Sequence, residues 1–371
     1  MTETPRWLRR GDHAPWFKVP ALQGSPTYAF DTVAGRHVLM LFMGSAGFGP
    51  SAEALKVVRE NRALFDDLYA CFFGVTADPQ DVEQKRIAQE LPGIRFFLDF
   101  DRKVSDQFGA VAGEAYHPHW LLLDPTLRVL GAFPVQEGAA AVAMLRERVQ
   151  APFPRGAWAP VVEVPDVLEP DLCRHLISLY EQNGGEESGF MRDVDGKTVL
   201  MVDPEHKRRR DFIIEDPKLR QALVWRMNRR LNPALKKAFQ FEATRIERYL
   251  VACYEAEAGH FRPHRDNTTK GTAHRQFAVT INLNAGEYEG GDLRFPEYGP
   301  RTYRAPTGGA VVFSCSLLHE ATPVTRGRRF AFLPFLYNEE AARVREANNP
   351  HLGPGVGEYR MGTNPASAPS S

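Results

Sequence analysis

Hydrophobic and polar positions follow two different rhythms along the chain. Up to about residue 150, continuous apolar runs alternate with helical patterns. His37-Val-Leu-Met-Leu-Phe42 and Ala70-Cys-Phe-Phe-Gly74-Val suit strands buried on both faces. Residues 51–65 place Ala54, Leu55, Val58 and Leu64 at helical spacing. This alternation predicts an α/β layer. Beyond residue 160 the runs are short and β-branched, at 161–168, 248–254, 277–283 and 310–313, and Gly290-Gly291 and Gly308-Gly309 punctuate them. Two helices interrupt these strands. One opens at Pro170, repeats Leu172, Leu176, Leu179 and Tyr180, and stops at Asn183-Gly184-Gly185. The other covers about 217–231, with Leu219, Leu223, Val224, Met227 and Leu231 on one face.

Between the two rhythms, Gln150-Ala-Pro-Phe-Pro-Arg-Gly156-Ala-Trp-Ala-Pro160 has the composition of a stiff linker. The expected organisation is a first domain over 1–150, a linker over 151–160, a second domain over 161–340 and a mobile Gly/Pro/Ser-rich tail over 341–371. A length of 371 residues agrees with two cores. Lys plus Arg equals Asp plus Glu at 46 each, so the net charge draws the chain toward neither nucleic acid nor anionic membrane. No apolar run approaches the roughly 18 residues of a membrane span, and the first ten residues lack the apolar core of a signal peptide. Cys71, Cys173, Cys253 and Cys315 are too scattered for a disulfide framework or a zinc site. Buried thiols in a cytoplasmic protein are the expectation. Lys207-Arg-Arg-Arg210, Arg226, Arg229, Arg230, Lys236 and Lys237 form a basic cluster, but Glu181, Glu186, Glu187, Glu205, Asp211, Glu215 and Asp216 lie among them. A solvated charged surface is expected there, and nucleic acid is not an expected partner.

The candidate chemistry lies near the C-terminal end. His264, Asp266 and His319 make a 2-His-1-carboxylate set, which suits non-haem Fe(II) with positions left open. In a strand, ligands at i and i+2 share a face. The third ligand would come from a distant strand.

The surrounding residues carry a resemblance. Tyr254-Glu-Ala-Glu-Ala-Gly259-His-Phe261-Arg-Pro-His264-Arg-Asp266, the run from Phe277 to Asn284, Gly290-Gly291-Asp292-Leu293-Arg-Phe295, and His319-Glu-Ala-Thr-Pro323-Val324-Thr-Arg-Gly327-Arg-Arg329-Phe330 resemble, in order, the motifs of prolyl-4-hydroxylase-like 2-oxoglutarate/Fe(II) oxygenases. The resemblance covers about 160–338. It implies a mainly β, double-stranded β-helix (jelly-roll) domain with buttressing helices. It also implies Fe(II) on His264, Asp266 and His319, 2-oxoglutarate as cosubstrate, ascorbate as a reductant, and hydroxylation of a C–H bond in a peptide, protein or small molecule. Arg329 would hold the distal carboxylate of 2-oxoglutarate, with Arg328 the alternative one residue away. Tyr254 would reach the cosubstrate. A second tyrosine of the family is replaced by Ile281, leaving Thr322 and Thr325 as candidates for that hydrogen bond. The loop 267–275, with Lys270 and His274, is expected at the substrate entrance, and Met191-Arg192-Asp193 is a candidate cover.

In the first domain, Gly11-Asp-His-Ala-Pro15-Trp-Phe17, the turn at 42–53 and Tyr116-His-Pro118-His-Trp resemble peroxiredoxin and thioredoxin-fold proteins, Pro118 standing in their cis-proline loop. Both cysteine positions are lost, to Gly47 and Pro50. The expectation is an α/β thioredoxin-like domain without redox activity, which docks a partner, presents a substrate or stabilises a homodimer. His117 and His119 are expected to pack rather than bind metal. A non-catalytic scaffold and a thiol-redox protein with an oxygenase-like appendage are the competing functions.

Overall fold

The apolar run at His37 becomes the centre of a five-stranded sheet. Its order is Ile94–Leu98, Ala70–Thr76, His37–Gly44, His119–Leu123, Val129–Pro134. The first three strands run parallel, and the last two are antiparallel additions. Helices Gly49–Glu60 and Gly138–Gln150 bury Ala54, Leu55, Val58, Ala141, Val142 and Leu145 against Leu39, Leu41, Phe72 and Trp120. Elsewhere in this unit, rings interlock: Phe17 stacks on Phe30 at 4.6 Å and Phe73 on Phe97 at 4.5 Å. The α/β layer predicted from the alternation is therefore present.

The chain divides into two compact units, Met1–Ala157 with Pro296–Gly299, and Trp158–Phe295 with Pro300–Ser371. This computed structural model describes residues 6–151 and 158–363. Most of the expected linker, with Pro152, Pro154 and Gly156, lies outside the described residues, as does 364–371.

The second unit is built on antiparallel strands. The larger sheet runs Val161–Val164, Ala310–Ser314, Phe277–Asn282, Arg328–Phe332, Leu250–Glu255, Arg210–Ile213, Glu186–Glu187, with Arg245–Glu247 and Phe335–Tyr337 joined beside it. The smaller sheet runs Lys207–Arg208, His260–His264, His319–Ala321, Leu293–Arg294, Thr302–Tyr303. Alternation sorts the side chains of the larger sheet. Val251, Cys253, Val279, Ile281, Phe330 and Phe332 form a core with Cys173, Leu176 and Tyr180 of helix Pro170–Asn183 and with Leu223, Met227, Leu231 and Leu235. The intervening residues Ala252, Tyr254, Ala278, Thr280 and Arg329 are left for the opposite face.

Three expectations change. The helix expected at 217–231 is Pro217–Arg226, a π-helical turn Met227–Leu231, then a further helix Asn232–Phe239. Pro233 has no N–H to give a helical ladder, so the turn before it is widened and the helix restarts. Residues 341–363 are not a tail. Helix Glu339–Ala347 is capped by Asn338, and Asn349 holds both backbone groups of Tyr359, at 2.7 and 3.0 Å. Finally, the cis peptide among the described residues is Leu91–Pro92, so His117–Pro118 is trans. The two isomers of an X-Pro bond differ by only about 0.5–1 kcal/mol, too little for a dipeptide to specify.

The turn where thioredoxin-like proteins would carry thiols is occupied otherwise. Asp81, fully buried, accepts from Ala46 N at 2.8 Å and from Thr76 Oγ1, and pairs with Arg86 at 3.2 Å. Ser45 bonds Asp78 at 2.7 Å. His119 is stacked between Trp7 and Phe42, at 4.7 and 4.9 Å, and burial pushes its pKa down to about 4.

All four cysteines are buried. Burial pushes the Cys71 thiol up to about 12 and those of Cys173 and Cys253 up to about 11. Native protein treated with a thiol reagent at pH 8 is expected to label at none of the four positions and to label at all four after denaturation. Rapid native labelling would count against a redox-inactive first unit.

Candidate metal centre

Two ladder pairings assemble the site. In the smaller sheet His264 stands opposite His319, so the two rings come to 4.3 Å between centroids. In the larger sheet Tyr254 stands opposite Arg329, while Arg328 stands opposite Glu255. His264 closes its strand, and Asp266 follows just beyond the end rather than on the same strand face. The Asp266 amide donates to the Cys315 carbonyl at 3.0 Å, which turns the carboxylate back between the histidines. Its oxygens lie 3.4 Å from His264 Nε2 and 3.3 Å from His319 Nε2. Among the described residues these three form the one group able to hold a metal ion, with ligand atoms within 4.8 Å of one another.

The ring orientations follow from the main chain. His264 Nδ1 lies 2.7 Å from the Arg262 carbonyl and His319 Nδ1 lies 3.0 Å from that of Leu317. A proton on each Nδ1 serves those carbonyls and leaves each Nε2 lone pair for a cation. Burial, with His319 adding, pushes the His264 pKa down to about 4, so its neutral ligand form prevails at neutral pH. Burial opposes the charge on Asp266, but His319, His264 and Arg275 outweigh it and hold the carboxyl below its usual range.

These groups line one cleft with Arg209, Arg248, Tyr254, Phe261, Thr280, Leu293, Phe313, Arg329 and Phe335. Arg329 is buried, lies over the Tyr254 ring at 5.0 Å, and its Nε has no hydrogen-bond partner among the described residues. Gly291, at φ +67°, leaves room behind it; a Cβ there would lie 3.1 Å from Arg329 Cδ. Arg328 is on the other strand face, exposed and paired with Glu181 at 2.7 Å.

Several expected residues are elsewhere. Thr322 bonds Asp292 through its N and Oγ1, and Thr325 is exposed; neither lines the cleft. Ile281 faces the core, and its strand lines the cleft with Ala278, Val279 and Thr280, of which Thr280 alone carries a polar side chain. His274 is buried, 2.7 Å from Glu247 and edge-on to Tyr337, because the turn closed by Thr269 and Thr272 carries it inward. Lys270 is exposed and lines no part of the cleft. Met191, Arg192 and Asp193 belong to the Phe190–Val194 and Lys197–Met201 hairpin and do not line it either. The basic cluster is a solvated surface only in part: Arg229, Lys236 and Lys237 are exposed, and the run at 207–210 is divided. Lys207 and Arg209 are buried, and Arg208 and Arg210 are exposed. This is the alternation of a strand, and it was the available signal. Arg209 pairs with Asp211 at 2.6 Å and reaches the Tyr254 hydroxyl at 3.4 Å.

Comparison with known proteins gives a consistent result. A family model described as the 2OG-Fe(II) oxygenase superfamily matches residues 249–337. A PKHD-type hydroxylase of Polaromonas sp. is 30% identical over 200 residues, which is 50% of this chain and 81% of that protein. The chain belongs to the 2OG-Fe(II) oxygenase superfamily. It spans only 41% of the length of two other PKHD-type hydroxylases, from Synechococcus, that it matches over 92 residues. Among solved structures, a Pseudomonas putida prolyl-4-hydroxylase is 19% identical, with 49% of this chain and 95% of that one covered at a TM-score of 0.39. Peroxidoxin BcpB of Mycobacterium tuberculosis is 20% identical, with 38% and 97% covered at a TM-score of 0.32. No helix among the described residues is long and apolar enough to cross a membrane.

In this superfamily member the loop after the metal ligands rests on a buried charge network missed from sequence. Glu247 accepts from Arg275 at 2.7 and 3.0 Å, and Arg275 NH1 reaches the Asp266 carbonyl at 3.4 Å. Burial raises the Glu247 pKa, but Arg275 and His274 outweigh it and hold the carboxyl well below its usual range. Glu247→Gln is expected to cost about 3–5 kcal/mol in urea unfolding at pH 7, as removal of one buried partner does. A depressed carboxyl contributes stability that is complete above the unfolded pKa and lost as pH falls through the folded one. The gap between wild type and variant should therefore narrow below about pH 4. A gap independent of pH would show that charge is not what Glu247 supplies.

Proposed function

We propose that the chain is an Fe(II)- and 2-oxoglutarate-dependent dioxygenase, built on a jelly-roll domain, that hydroxylates a C–H bond of a peptide, protein or small molecule. One observation carries this: His264 Nε2, Asp266 and His319 Nε2 converge in a cleft whose wall holds a buried arginine with an unpartnered Nε. The donor set fits Fe(II). Arg329 fits a carboxylate, since a guanidinium can hold one bidentately. When bound, the iron with 2-oxoglutarate and O₂ supplies the oxidising power: R–H, 2-oxoglutarate and O₂ become R–OH, succinate and CO₂.

The rest is the work of the residues. His264, Asp266 and His319 would hold the metal. Arg329 would anchor the cosubstrate's distal carboxylate, and Tyr254 and Thr280, which line the same cleft, would donate their hydroxyls to its oxygens. Phe261, Phe313, Leu293 and Phe335 give the cleft apolar walls that limit water. The first unit, with Gly47 and Pro50 where a thiol pair would stand, serves as a redox-inactive docking module.

The test is succinate release from 2-oxoglutarate by Fe(II)-loaded protein with ascorbate and no added substrate. His264→Ala should abolish it. Arg329→Met should weaken 2-oxoglutarate binding by roughly 10–100-fold, the worth of a charged hydrogen-bonded contact, while leaving Fe(II) bound. Thr322→Val should leave cosubstrate affinity unchanged. Succinate release that survives His264→Ala, or no release and no 2-oxoglutarate-dependent change in the anaerobic metal spectrum, would favour a non-catalytic scaffold.

A further inference from the structure

The cleft holds one cation more than a dioxygenase needs for its cosubstrate. Arg209, Arg248 and Arg329 all line it. Arg209 has Asp211 at 2.6 Å, and Arg329 faces the carboxylate it would anchor. Arg248 has neither. The carboxylate within salt-bridge reach is Glu247, 3.9 Å away, too far for a hydrogen bond, and Arg275 and His274 already claim it. The Arg248 guanidinium lies instead over the Phe335 ring at 4.8 Å. Burial, with Arg275 adding, pushes its pKa down to about 10, so its surroundings disfavour its charge. Its backbone also takes φ +72°, a left-handed conformation that side chains rarely adopt and that gathers at ligand sites. A long cationic side chain, about a quarter exposed at the cleft, is thus held in a costly backbone with no carboxylate within hydrogen-bond distance.

The charges of the filled cleft sharpen the point. A divalent metal, Asp266, the 2-oxoglutarate dianion and Arg329 cancel. Arg209 cancels with Asp211, which buried Lys207 also faces while bonding Ser188 and the Gly189 carbonyl through its Nζ, and Arg275 cancels with Glu247. Of the arginines that line the cleft, Arg248 remains.

We propose that Arg248 binds an anionic group of the substrate, a carboxylate or a phosphate, and so selects an acidic substrate over a neutral one. The inference rests on the dioxygenase reading for which anions already occupy the cleft. Apolar Leu333, Pro334 and Phe335 beside Arg248 would take the carbon skeleton next to that group.

The test uses full-length, Mn(II)-loaded protein, saturated with 2-oxoglutarate under anaerobic conditions and titrated calorimetrically with acetate, methyl phosphate and neutral acetamide. One of the two anions should bind saturably, which identifies the group, and acetamide should not. Arg248→Gly should weaken that binding at least about tenfold, and Arg248→Lys should keep part of it. Because glycine relieves the left-handed backbone, the Arg248→Gly protein should melt no lower than wild type, and its 2-oxoglutarate affinity should stay within roughly twofold. Absence of saturable anion binding to wild type, or equal binding by Arg248→Gly, overturns the proposal. So does a lower melting temperature, which assigns Arg248 a structural role, or a fall in 2-oxoglutarate affinity, which assigns it to the cosubstrate. Failure of wild type to bind 2-oxoglutarate at all would sink the dioxygenase reading instead, and the same anion titration on the Mn(II) protein alone would still decide Arg248.

Discussion

The register of two antiparallel ladders governs the candidate site. Opposite His319, His264 brings two imidazoles together, and opposite Arg329, Tyr254 sets a phenol against a guanidinium. Side chains in a strand have a period of two, so a slip by one residue would send Arg329 into the helical core and bring Arg328 into the cleft. The core prevents that slip. Phe330 and Phe332 fill the opposite face against Tyr180, Leu176 and Ile281. The helices therefore stabilise the metal centre without touching it, by making one register far better packed than its neighbours.

A second constraint is charge. The cleft and its walls gather four arginines, Arg209, Arg248, Arg275 and Arg329, within a protein of zero net charge. Asp211 and Glu247 neutralise two of them. A lone buried charge costs far more than a paired one; of the remaining two, Arg329 is buried and Arg248 is about a quarter exposed. Glu247 does more than neutralise. Through Arg275 it steadies the backbone of Asp266, which connects the stiffness of the loop to the direction of a metal ligand.

Much of this was legible beforehand, and what was not has physical reasons. The candidate metal ligands are conspicuous because few chemistries need His264, Asp266 and His319 together, and both sheet patterns were visible in the alternation of apolar residues. The helix restart at Pro233 was foreseeable from its missing N–H, but helical periodicity carried through Leu231 and masked it. Arg209 looked like surface because four basic residues in a row suggest solvent, and only the strand period separates 207 and 209 from 208 and 210. His274 was assigned to an entrance because it follows the metal pair in sequence. A single capped turn was enough to rotate it into the interior, and such turns hang on tertiary bonds like that from Gly271 to Thr198 that no local pattern encodes. Asparagine, glycine and proline counts misjudged 341–363 for a similar reason, since Arg245, more than a hundred residues earlier in the chain, bonds the Tyr359 hydroxyl and the Met361 carbonyl.

The turn at Gly47 has a consequence for the side chains the first unit can accept there. A side chain at that position would run into Arg86, with a Cβ only 2.7 Å from its NH1. Arg86 in turn neutralises buried Asp81, which holds the main chain of the turn at Ala46. A side chain at position 47 would thus push the Arg86 guanidinium aside while Asp81 kept its bonds to Ala46, Thr76 and Ser45, so the change would fall on an ion pair and not on the turn.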